Sequence, residues 1–330
     1  MTPPESPRIW VLADPRAGTA AQALGIAERL GEPFRRVDLA WGALARLPLP
    51  FPSLAGLTPE ARAAFAPPWP ALVISAGRRS APVALWLKQK GARLVHCMRP
   101  GFGAAGFDLL VIGRHDAPKP AANILPILGA AHRISPEKLA AARAEFAELA
   151  ALPSPRVALL MGGPPRAEGM DAALAGAITA KVAGFAGSVL ATASRRTGSA
   201  AEDAMAAALA GHPHRLFRWG DAPPNPYAGF LAWADQVVVT GDSVSMLSEA
   251  LATSGPVFIA DPAGLGRATS AWRKAWLRQG RRGIWPPHRR PLRARRLMKA
   301  GASLPKSAGA ACWAEPRFHE DFIHPRWWRR

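Results

Sequence analysis

The chain has 330 residues, 49% of them apolar, with 34 prolines, 30 glycines and a formal net charge of +19 at pH 7. The length suits two domains with real cores, and the charge points to an anionic partner: nucleic acid, acidic lipid or a phosphorylated ligand. Two distant cysteines, Cys97 and Cys312, argue against a disulfide framework or a metal site and fit a reducing cytoplasm; no signal pattern opens the chain and no apolar run reaches membrane-spanning length.

The first half alternates strands and helices. Ile9–Ala13 reads as a strand, Asp14-Pro-Arg-Ala-Gly18 as a loop, and Thr19 as the cap of a helix reaching Leu30. Arg35–Leu39 is a second strand and Ala71–Ser75 a third. Gly77-Arg78-Arg79-Ser80 follows, with Ser80 as cap and Pro82 in the first turn of a helix. Paired guanidinium groups beside a helix start form an anion site, although both could simply face solvent. Arg93–Met98 is a fourth strand. Gly101-Phe-Gly103-Ala-Ala-Gly106 has the dinucleotide spacing, but a strand, Phe107–Ile112, follows where the motif needs a helix, so the glycines serve a turn. His115 and Asp116 stand at that strand's end. Ser135 caps a helix over Pro136–Leu152, and Pro153-Ser-Pro155 marks the expected boundary between domains 1–153 and 154–330.

The second half repeats the pattern. Arg156–Met161 is a strand, and Gly162-Gly163 allows either a close phosphate or a plain turn. A helix, Met170–Gly184, leads to the strand Gly187–Ala193 and then to Ser194-Arg195-Arg196-Thr197, an echo of the earlier arginine pair. Arg215–Trp219 is a strand, followed by Asn225-Pro226-Tyr227, which holds the chain's one tyrosine. Gln236–Thr240, Gly241-Asp242, a helix capped by Ser243, Gly255-Pro256 and Val257–Ala260 complete a βαβ unit. Ser243, Ser245 and Ser248 put hydroxyls near its helix start, where N–H groups favour an anion, and Glu249 sits about two turns in. Such alternation predicts parallel, doubly wound α/β sheets. Beyond Asp261 thirteen Lys or Arg precede the next acid, Glu315, with Trp272, Trp276 and Trp285 interleaved. This tail, about 262–330, suits an acidic membrane surface or mere solvation; no nucleic-acid-binding signature accompanies it.

The segments SAGRRSAPVA, NILPILGAAHRIS, TASRRTGS, NPYAGFLAWAD and VVVTGDSVSMLSEA, in this order, resemble the family of the plant mitochondrial-fission factor named for elongated mitochondria. That family is similar in turn to GT-B glycosyltransferases, among them the transferase that adds N-acetylglucosamine to the peptidoglycan lipid precursor. The resemblance implies two Rossmann-like domains facing across a cleft that takes a nucleotide diphospho-sugar, of UDP type, as substrate and needs no cofactor or metal. Glu249 would hold the ribose. Gly18, Arg78, Arg79, Ser80, Gly162, Gly163, Ser194, Arg195, Arg196, Thr197, Asn225, Tyr227, Asp242, Ser243, Ser245 and Ser248 would complete the binding surface. Asp14 or His115 would act as base. Two departures stand out: Thr19-Ala20 occupies a place where relatives carry Asn before Gln, and the Gly162-Gly163 loop lacks a following Ser or Asn. The alternative is a non-catalytic adaptor on a membrane. The expected location is cytoplasmic, soluble or peripheral on the inner face of the cytoplasmic membrane, with the protein partner open and no nucleic acid expected.

Overall fold

The computed structural model describes residues 7–47, 49–163, 169–260 and the two-residue strand at 284–285. The basic tail expected over 262–330 otherwise lies outside the described residues. The chain divides after Arg133 into two compact units.

The first unit runs β1 (Ile9–Ala13), α1 (Ala17–Leu30), β2 (Phe34–Asp38), α2 (Pro59–Arg62), β3 (Leu72–Ala76), α3 (Ala81–Lys88), β4 (Arg93–Cys97), β5 (Leu109–Gly113) and β6 (Ile124–Ile127). Its sheet is parallel, in the order β2-β1-β3-β4-β5-β6. Strands buried on both faces read as continuous apolar runs, as β1 and β3 do. Ile9, Val11 and Ile74 pack under α1 with Ala23 and Ile26. Trp10, Leu12 and Val73 face the opposite layer with Val83 and Leu87 of α3.

The second unit runs α4 (Pro136–Glu145), β7 (Arg156–Met161), α5 (Ala172–Ala183), β8 (Ser188–Ala193), α6 (Ser199–Leu209), β9 (His214–Phe217), α7 (Tyr227–Trp233), β10 (Gln236–Thr240), α8 (Val244–Ala250), β11 (Val257–Ala260) and β12 (Ile284–Trp285). Its sheet is also parallel, in the order β12-β11-β10-β7-β8-β9. Val157 and Leu159 pack with Ala175 and Met205 on one face; Ala158, Leu160 and Val239 pack with Leu247 and Ala250 on the other. The unit starts ahead of Pro153 because α4 lies on α7. There Arg143 donates to Ala232 O at 2.8 Å and stacks 3.8 Å over Trp233, whose ring N–H donates to Arg143 O at 3.1 Å.

In each sheet the strand order reverses beside the first strand, between β1 and β3 and between β7 and β10. Open parallel sheets bind ligands at the carboxyl ends of strands beside such a switch point. Asp14 and Arg78-Arg79 leave the first of these edges, and Gly162-Gly163 and Asp242 the second.

Candidate functional site

The second unit's edge is built around an absent side chain. Strand β7 lies between β10 and β8, so the loops after all three meet above Gly162 and Gly163. A Cβ on Gly162 would fall 2.4 Å from Asp242 Oδ2, and one on Gly163 would fall 2.0 Å from the Arg196 carbonyl oxygen. Only glycine fits at either place. The amides of both are already used: Gly162 N–H donates to Thr240 Oγ1 at 2.7 Å and Gly163 N–H to Asp242 Oδ2 at 2.5 Å. Thr240, not among the residues expected from sequence, is thus part of the edge; its local signal is a hydroxyl at a strand's last position, next to Gly241-Asp242.

Asp242 joins the two loops. Its carboxylate is 3% exposed and its Oδ2 lies 3.6 Å from Arg196 Nη2. Its Oδ1 is buried with no hydrogen-bond partner. Arg195, one residue back, is exposed and has no acidic or hydrogen-bonding partner among the described residues. Thr197 is not a helix cap, because α6 starts from Gly198 without a side-chain cap. Its hydroxyl is fully buried, accepts from Ser194 N–H at 2.8 Å and reaches Gly162 O at 2.7 Å, pinning the β8 loop to the end of β7. Ser194 Oγ accepts from Arg196 N–H at 3.2 Å.

Ser243 caps α8 as expected, accepting from Met246 N–H at 3.5 Å. Ser245 is partly exposed on its first turn, and Ser248 turns its hydroxyl back to Val244 O at 2.7 Å. Gly255 does not end this helix. Leu251 does, and Gly255 instead lets the chain pass close to Asp235 O. Glu249 Oε2 accepts from the Tyr227 hydroxyl at 2.6 Å. Burial pushes that phenol well above its ordinary value and the neighbouring carboxylate pushes the same way, so Tyr227 remains a donor. Asn225 Oδ1 accepts from Tyr227 N–H at 2.9 Å and fixes the start of α7.

In the first unit, Arg16 rather than Thr19 occupies the cap position of α1, and Gly18 lies in the helix's first turn. Asp14 is buried and both of its oxygens are engaged, Oδ1 by Arg16 N–H at 2.8 Å and Oδ2 by the Trp41 ring N–H at 3.0 Å. Ser80 likewise gives no side-chain cap; its buried hydroxyl donates to Ala76 O and Gly77 O at 2.7 and 2.9 Å. Arg78 is exposed and Arg79 partly so, and neither has an acidic or hydrogen-bonding partner among the described residues. The Gly101–Gly106 stretch is a turn with left-handed Gly101 and Gly103, followed by β5. His115 stands just past β5, its ring over Gly113, with Nδ1 buried and unpartnered and Nε2 3.9 Å from Asp116 Oδ1. Burial lowers the imidazole's proton affinity and the Asp116 carboxylate opposes this in part, so a neutral ring is favoured. Among the described residues no group of His, Cys, Asp and Glu could hold a metal ion, and no helix is long and apolar enough to cross a membrane.

This architecture is shared with solved structures. The UDP-GlcNAc 2-epimerase of Neisseria meningitidis, solved with UDP-GlcNAc, superposes with a TM-score of 0.54 at 12% identity, over 92% of this chain and 97% of its own. The spinosyn forosaminyltransferase SpnP gives 0.51 at 12%, over 95% and 92%. These likenesses establish the fold: α/β, with two Rossmann-like parallel sheets of GT-B type. In sequence, the mitochondrial fission protein ELM1 of Arabidopsis thaliana is 30% identical over 233 residues, 62% of this chain. The chain spans about half of that relative's length, 54%. The model of the mitochondrial fission ELM1 family matches residues 17–296, which takes in every strand but β1 and both arginine pairs. On that match the chain belongs to the mitochondrial fission ELM1 family.

Proposed function

We propose that the second unit binds a nucleoside diphospho-sugar at the carboxyl ends of β8, β7 and β10, and that the chain transfers its sugar to a glycan or membrane-associated acceptor. The meeting of the Arg195-Arg196 loop with Asp242 at the two glycines carries this reading, because one guanidinium without a partner and one shared with Asp242 then stand beside a switch point. Arg195 takes the diphosphate, and Arg196 is shared between diphosphate and Asp242. Glu249, held by Tyr227, receives the ribose hydroxyls. The Neisseria neighbour's bound UDP-GlcNAc supports a ligand of this class.

In the transfer, an acceptor hydroxyl oxygen bonds to the anomeric carbon while the bond to the diphosphate breaks. The diphosphate leaves with the electron pair, and its charge is met by the arginines. The hydroxyl proton passes to a general base. His115 is better suited than Asp14, whose oxygens both already accept hydrogen bonds. Calorimetry with UDP and UDP-sugars tests the reading. Saturable binding is expected, weakened about tenfold or more by Arg195→Ala or Glu249→Ala, since a hydrogen bond to a charged group contributes roughly 1.5–3 kcal/mol. Absence of heat at millimolar ligand rules it out.

The likeness to the Arabidopsis fission protein favours a second reading, a non-catalytic adaptor held at a membrane through its basic tail. Pelleting with anionic liposomes that vanishes without residues 267–306, together with no nucleotide binding, distinguishes it.

A further inference from the structure

Large exposed apolar side chains cluster on the first unit. Leu44, Leu47, Phe51, Met98 and Phe102 are between 37% and 58% exposed. They come from two loops only, those after β2 and β4, and both leave the carboxyl edge of one sheet. Leu47 and Phe102 line a single shallow depression with Arg78 and Arg79, floored by Pro82 and Val83. The loops are held there. Ser53 N–H donates to Pro82 O at 3.0 Å, and the Arg78 stem packs so closely on Gly101 that a Cβ there would meet it at 3.0 Å.

Charge follows the same edge. Between Asp38 and Asp108 the only acidic residue is Glu60. Arg46, Arg78 and Arg79 have no acidic or hydrogen-bonding partner among the described residues. Exposed apolar side chains beside unpaired guanidinium groups match the boundary between acyl chains and headgroup phosphates. A free phosphate would use the arginines and leave Leu47, Phe51 and Phe102 unexplained.

We propose that these two loops dock the first unit onto an anionic lipid bilayer, with Leu47, Phe51 and Phe102 entering the acyl boundary and Arg78 and Arg79 holding lipid phosphates. This docking uses no residue of the basic tail and does not rest on nucleotide binding by the second unit. The test uses the full chain and vesicles of phosphatidylcholine with or without phosphatidylglycerol. The wild type pellets with the anionic vesicles, and Leu47→Glu/Phe102→Glu lowers its partition on the order of tenfold or more. Arg78→Gln/Arg79→Gln lowers it on the order of tenfold for anionic vesicles alone. Both apolar sites are solvent-facing, so the variants keep the wild-type circular dichroism and melting temperature. A nitroxide on Leu47→Cys in a Cys312→Ser background becomes shielded from a water-soluble relaxation agent when anionic vesicles are added. Pelleting of the Leu47→Glu/Phe102→Glu variant equal to wild type, or a nitroxide that stays in water, overturns the proposal. Nucleotide calorimetry on the same variant is expected to be unchanged, so the two readings fail separately.

Discussion

At the scale of single residues, burial sets the chemistry. His96 is fully buried, its Nδ1 2.8 Å from Ser75 Oγ and its ring 4.8 Å from that of Phe107. Burial pushes its pKa from 6.5 down to about 3, so the folded chain holds it neutral. The unfolded chain takes up a proton below its ordinary value, and the folded chain does not until about pH 3. Its contribution to stability is therefore complete above pH 6.5 and is lost as pH falls towards 3. Urea midpoints measured across that window should fall with a slope of about 1.4 kcal/mol per pH unit from this group, and His96→Gln should flatten it. Tyr227→Phe removes the phenol that holds Glu249. It should cost roughly 1–2 kcal/mol of stability in denaturant titration, and UDP binding should weaken with it if Glu249 holds the ribose.

Elements show why some of the site was legible in sequence and some was not. Strands β1, β7, β10 and β11 follow from charge-poor, β-branched or Leu-rich runs closed by Gly or Asp. The caps Ser135 and Ser243 follow from their place before an apolar-periodic segment, and Ser135→Ala should cost about 1 kcal/mol in thermal unfolding. Ser80 and Thr197 have the same local signature and do the opposite, because a buried hydroxyl bonds whichever carbonyl the fold brings near. For Ser80 that neighbour is the carbonyls of Ala76 and Gly77 in its own segment; for Thr197 it is the end of β7, set by strand order, which no local pattern encodes. The 3.6 Å approach of Arg196 to Asp242 is of the same kind: it exists because β7 separates β8 from β10. The glycines at the end of β7, which the sequence allows to serve a close phosphate or a plain turn, are the meeting point of two loops. Gly163→Ala should therefore destabilise the second unit by about 1–3 kcal/mol, as overpacking does, and disturb the Arg196 loop. Amide exchange at residues 194–198 reads that disturbance.

For the whole molecule the dominant fact is charge. Thirteen cations between Asp261 and Glu315 carry most of the net +19. A field of that sign draws anions in before any contact forms, and salt screens it. Stopped-flow measurements should show the nucleotide association rate falling with ionic strength while dissociation hardly changes. A chain lacking 267–306 should show a shallower dependence.

The bond from the Trp41 ring to Asp14 has a practical side. An indole tied to a carboxylate at the first strand's edge senses whatever alters that carboxylate's surroundings. Emission from this ring is thus an internal gauge of events beside Asp14, read without a label, and Trp41→Phe identifies its share of the signal.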